Sequence, residues 1–257
     1  MRRVSDDPLL HVADLPGVAA AVQRARESVD ALRAHRVLRR YAERVSAESA
    51  LRGARASAAL AGADVPLDVL RRTVAAGGRF PEPEDDVVQG ALRVAGEVGP
   101  LTGVWSRAPL QAVARLHSLA AAHQVSDDEL GRPAAAAATR LAALSQLLTA
   151  PTTAPALVVA AVAHAEIETS DAFAVGAGQV ARAAYRLTVV ARGLDPAALS
   201  VPEVGHLELG RSAYDDALSG YRDGGPDGVA AWVVHCADAT VLGAREGVAV
   251  CESIQRG

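Results

Sequence analysis

His164-Ala165-Glu166-Ile167-Glu168-Thr169-Ser170-Asp171-Ala172-Phe173-Ala174-Val175-Gly176-Ala177-Gly178-Gln179-Val180-Ala181-Arg182 is the stretch from which the fold of this chain is read. The nearly apolar run Pro155 to Ala163 leads into it, and the spacing predicts a helix from about Pro155 to Ser170. Gly176-Ala177-Gly178 predicts a tight turn, after which a second helix runs to Arg192. On the first helix, steps of three and four residues place His164, Glu168 and Asp171 along one stripe. Imidazole and carboxylates so arranged can ligate a divalent metal. No second ligand-rich segment is evident to complete a coordination shell, so local pairing of Glu168 with His164 and capping by Asp171 are preferred. The glycine turn is open to two readings as well. It exposes backbone N–H groups at a helix N-terminus with Arg182 one turn inside, which suits an anion. Equally, Gly176 and Gly178 permit a tight turn and Arg182 pairs between helices.

Outward from this stretch the apolar residues keep a helical period, and no segment alternates strictly enough to read as a strand. The fold class is all-α. Leu15-Pro16-Gly17 opens a long helix to about Val45, with Val18, Val22, Ala25, Val29, Leu32 and Arg36 on one face; another follows from about Ala47 to Leu60. Leu67 to Ala75 is helical, Gly77-Gly78 with Pro81 and Pro83 forms a loop, and Asp85 or Asp86 caps a helix to about Gly99. Further helices are predicted from Pro109 to near His123, Pro133 to Leu148, Leu209 to Tyr221 and Pro226 to Ser253, with a Pro196 to Pro202 linker. We divide the chain into an N-terminal helical extension, 1–45, and a helical domain, 46–257.

Composition excludes several chemistries. The 257 residues contain no lysine, which removes Schiff-base enzymes and P-loops, and no asparagine. A net charge of −4 gives no pull toward nucleic acid or anionic membrane. Cys236 and Cys251 read as small buried hydrophobes in a reducing cytoplasm. The N-terminus has Asp6, Asp7 and Pro8 where a signal peptide needs an apolar stretch, and no run reaches the length of a membrane span. Trp105 and Trp232 read as core anchors. His117, His123, His206 and His235 stand isolated in sequence. Arg33, Arg36, Arg39, Arg40 and Arg44 mark either a partner surface or, as we prefer, a solvated face balanced by Glu43 and Glu48.

The 171–182 segment resembles, without a gap, the motif H-P-F-x-[D/E]-G-N-G-R-x-x-R of the Fic (Fido) family. His164 to Ser170 looks like the helix that typically runs H-x-x-F-E-x-I into that motif. Ser57 to Gly62 resembles the family's inhibitory S-x-x-x-E-G segment, Leu116-His117-Ser118-Leu119 with Gly131-Arg132 resembles its L-H-x-x-L and G-x-x-R stretch, and Tyr214 to Trp232 resembles its closing helices. The resemblance covers about residues 45 to 240.

It implies a helical domain in which the motif histidine is a general base and the glycine turn with its arginines holds a nucleotide's phosphates, usually while AMP is transferred. Here Asp171 stands at the histidine, Val175 at the metal-binding acid, Ala177 at the asparagine and Gln179 at the first arginine; Phe173, Gly176, Gly178 and Arg182 remain. An ordinary carboxylate accepts a hydroxyl proton less well than imidazole, and valine cannot ligate Mg²⁺. Ala61 replaces the inhibitory glutamate, and Gly131 to Thr153 is too short and helical for the family's β-hairpin flap. The expectation is a Fic-fold pseudoenzyme: no catalytic residue, no metal and no required cofactor, in the cytoplasm, binding a protein partner or itself as a homodimer. If the turn retains a ligand, it is ATP or another nucleoside phosphate held by Phe173, Gly176, Ala177, Gly178, Gln179 and Arg182 without Mg²⁺ at Val175. The alternative is an active nucleotide-dependent transferase that uses Asp171 as base and Arg182 for phosphate.

Overall fold

Helical spacing governs nearly the whole chain, and in the computed structural model, which describes residues 7–80 and 84–256, every regular element among the described residues is a helix. The elements are α1 (Pro8–Ala13), α2 (Val18–Arg33), α3 (Leu38–Leu60), α4 (Leu67–Ala75), α5 (Asp85–Gly96), α6 (Val98–Trp105) and α7 (Pro109–Ala120). After a 3₁₀ turn at Ala135–Ala137 come α8 (Ala138–Thr149), α9 (Ala156–Glu168), α10 (Ala177–Ala191), α11 (Pro202–Leu209), α12 (Arg211–Asp223) and α13 (Pro226–Arg256). No helix among the described residues is long and apolar enough to cross a membrane. Arg2, Arg3 and Asp6 of the N-terminus, and Pro81 and Pro83 of the loop after Gly78, lie outside the described residues.

The centre is α9 against α10. Leu157 through Ala165 are all buried, as is Ile167, so α9 is covered on every side, as a helix apolar around its whole circumference must be. One core cluster joins α9 and α10 to α6, α7 and α8 through Leu101, Trp105, Leu116, Leu141, Val159 and Leu187. Another joins α9 to α2, α12 and α13 through Val18, Ala25, Val158, Tyr214, Trp232 and Cys236. Trp105 donates to Thr188 Oγ1 at 3.0 Å and Trp232 to the Ala161 carbonyl at 2.8 Å, so both are buried anchors as expected. Both cysteines are buried and unpaired.

Helices α11 and α13 cross closely at Gly205. A Cβ there would meet the Ala239 carbonyl oxygen at 1.9 Å, so only hydrogen fits the crossing.

Several boundaries differ from the expected ones. The long N-terminal helix breaks at residues 34–37, where Val37 turns into the core and its N–H donates to His35 Nδ1 at 3.3 Å. Helix α3 then runs unbroken past residue 45 to Leu60, apart from a kink at Tyr41. Arg36 is exposed rather than on the buried face, and Ala21 is buried where Val22 is only half-buried. Helices α1, α6 and α11 add to the expected set. Pro8 and Pro202 sit in the first turn of α1 and α11, and Pro100 in that of α6, where a missing N–H breaks no intrahelical bond. The Ala134 to Ala137 run opens as 3₁₀ rather than α-helix.

Candidate functional site

The motif-like segment begins where α9 ends at Glu168. Asp171 lies beyond the helix with φ +53°, and its side chain is 83% exposed, reaching only Arg222 at 3.4 Å. The expected stripe of His164, Glu168 and Asp171 therefore breaks: the first two meet and Asp171 points away. Phe173 is buried and stacks on His117 of α7, ring centroids 3.9 Å apart. His117 Nδ1 accepts from the Gly131 N–H at 2.9 Å, so a histidine isolated in sequence ties three segments together. Burial holds His117 below the usual imidazole range despite its backbone hydrogen bond at Val175. Val175 is partly buried, and Gly176, at φ +77°, turns the chain into α10. A side chain there would be strained and would press on Ala120.

Inside the first turn of α10, Ala177 and Gly178 are partly exposed. Gln179 is buried and donates to the Val87 carbonyl at 3.0 Å, joining α10 to α5. Arg182 is 3% exposed. Its Nε donates to Ser57 Oγ at 3.0 Å, its Nη2 to the Ser57 carbonyl at 3.1 Å and its Nη1 to Tyr214 Oη at 3.2 Å. The residue of the inhibitory-like segment that engages this arginine is thus Ser57; Ala61 sits exposed at the end of α3.

Glu168 completes the arrangement. A Cβ built on Gly178 would lie 2.9 Å from Glu168 Oε1 and 2.9 Å from Arg182 Nη1, so carboxylate and guanidinium both sit against the first turn of α10. Glu168 Oε2 is 2.9 Å from His164 Nε2 and accepts from the Tyr214 hydroxyl. Burial alone would raise its pKa. Hydrogen bonds from His164 and Tyr214 and the charge of Arg182 outweigh that and hold it well below the usual carboxylate range. Glu168 thus lies against the first turn of α10, which has no side-chain hydrogen bond capping it. Between α3, α5 and α10 the space lined by Ser57, Gln179, Arg182, Arg186 and Glu203 is a void of about 20 Å³, room for about one water.

Behind Glu168 lies a buried cluster that sequence spacing does not reveal. His164 of α9, His206 of α11 and His235 of α13 converge with Tyr185, Tyr214 and Trp232. His206 Nδ1 is 3.1 Å from His235 Nε2, and Trp232 stacks over both rings. Burial pushes His164 down, His206 far down and His235 to about 4, so all three rings are neutral near pH 7. Nearby in sequence to His206, Glu203 meets Arg186 at 3.3 Å in a buried pair beside Gly53. His206 and Glu203 are hidden in the sequence because Pro202 makes α11 look like linker. Tyr214 reads as part of a closing helix, but nothing in its spacing indicates a partner on α9.

The fold agrees with the resemblance. A Fic family protein from Desulfovibrio desulfuricans G20 matches with a TM-score of 0.72 at 18% identity, over 89% of this chain and 74% of that one. Fic-1 from C. elegans, residues 134–508, matches with a TM-score of 0.72 at 18% identity, over 93% of this chain and 75% of that one. Its E274G form gives a TM-score of 0.70 at 17% identity over 95% and 74%. No family sequence model and no curated protein matches the chain. This chain has the all-α fold of Fic family proteins.

Proposed function

We propose that this Fic-fold chain is a pseudoenzyme: a binding or regulatory protein of the cytoplasm that transfers no nucleotide and whose partner is another protein. The observation that carries this reading is the hold on Arg182, one turn beyond the glycine turn that opens α10: its buried guanidinium is bound by Ser57 and Tyr214. The resemblance gives that turn and that arginine the task of holding a phosphate chain. Here the arginine braces helices instead, and Val175 and the exposed Asp171 stand at the positions of the metal-binding acid and the base.

A magnesium nucleotide does not fit these residues as they stand. Val175 offers no lone pair, and the guanidinium of Arg182 is already taken by Ser57 and Tyr214. Asp171 is exposed and directed outward to Arg222, away from the glycine turn.

The test is calorimetric titration of the purified chain with ATP, GTP and ADP, with and without Mg²⁺, beside incubation with α-labelled ATP and protein extract. No saturable binding and no label transfer are expected. Transfer that Asp171→Ala abolishes would overturn the reading in favour of a rewired transferase.

A further inference from the structure

We propose that His164, His206 and Cys236 form a buried site for one borderline-soft divalent ion, Zn²⁺ foremost, that staples α9, α11 and α13 together. One ligand atom from each of the three residues lies within 4.8 Å of the other two, and all three residues are buried. A tetrahedral zinc with ordinary Zn–N and Zn–S bonds sets its ligand atoms about 3.3–3.6 Å apart. Binding would draw the three ligand atoms together from that spacing.

The chemistry of the surroundings matches a metal centre on three counts. First, His164 Nε2 is engaged by Glu168 Oε2 at 2.9 Å and by Tyr214 Oη at 2.7 Å, so Nδ1 is the ring nitrogen left to face a metal. That Nδ1 is buried with no hydrogen-bond partner, an unusual state for a core histidine. Second, a carboxylate that holds the far nitrogen of a histidine is the arrangement that orients imidazole ligands toward metals, and His235 Nε2 stands in the same relation to His206 Nδ1. Third, two imidazoles and a thiol are a donor set that favours zinc over magnesium or calcium.

Three protein ligands leave one tetrahedral position for water or a neighbouring side chain. Binding replaces the S–H bond of Cys236 by a metal–thiolate bond and releases the proton to solvent. The thiolate and the nearby Glu168 carboxylate offset the charge of the ion.

The test uses the full chain, purified from zinc-supplemented cells and, separately, refolded with CoCl₂. Elemental analysis is expected to give one zinc per chain after dialysis. The cobalt form is expected to show tetrahedral d–d bands in the visible and a thiolate-to-cobalt band in the near ultraviolet. Cys236→Ala, checked for helical content by circular dichroism, removes the thiolate band and drops zinc to background, whereas Cys251→Ala keeps both. His206→Gln serves if Cys236→Ala does not fold. Zinc at background in the parent chain, a cobalt spectrum without the thiolate band, or equal zinc in Cys236→Ala or His206→Gln overturns the proposal.

Discussion

At the residue scale, Glu168 answers to four groups at once. It accepts from His164 and Tyr214, faces Arg182 and covers the first turn of α10. Glu168→Gln keeps the shape but leaves a buried guanidinium short of its counter-charge. It is expected to cost about 2–4 kcal/mol in denaturant unfolding, with unchanged m-value. His117 gives a prediction in pH. Burial lowers its pKa in the folded chain below the unfolded value near 6.5, so the unfolded state binds more protons and stability falls as pH drops below that value. The loss runs through the folded pKa. His117→Gln is expected to flatten the dependence of unfolding free energy on pH between 7 and 5 by up to about one proton. An unchanged slope would show that the His117 ring does not titrate with folding.

At the scale of elements, close approach and propensity pull in opposite directions for two glycines. Gly205→Ala drives a methyl into the Ala239 carbonyl where α11 crosses α13, and is expected to cost about 3 kcal/mol or more. Gly103 is exposed on α6, and a methyl added there would find no atom nearer than Arg107 at 3.7 Å, so Gly103→Ala is expected to gain about 0.5–1 kcal/mol. Thermal melts of the two variants check both signs. Helices α10 and α13 are legible in the sequence because their periodicity persists over many turns, and α9 because an unbroken apolar run follows Pro155. The short helices opened by prolines are not, because the same residue starts a helix or ends one depending on which side the chain packs. The glycine turn is legible to the residue. The direction of Arg182 is not, since it depends on Ser57, 125 positions away in the chain, and on Tyr214, 32 positions away. The His164, His206 and His235 cluster is hidden for the same reason: its members come from three elements, one of which looks like a linker.

At the scale of the whole molecule, α9 belongs to both large core clusters, so neither can open without exposing it. Trp105 lies in one cluster and Trp232 in the other. Fluorescence of Trp105→Phe and Trp232→Phe variants is therefore expected to give coincident unfolding transitions, each read against its own parent circular dichroism curve. Separated midpoints would mean that α9 does not couple the two halves.

The hold on Arg182 also bears on what this sequence can become. Restoring histidine at 171 and an acid at 175 would rebuild two letters of the motif and leave the guanidinium tied to Ser57 and Tyr214. A side chain that braces α3, α10 and α12 together is part of the frame, and a ligand that claims it must first take over the bracing.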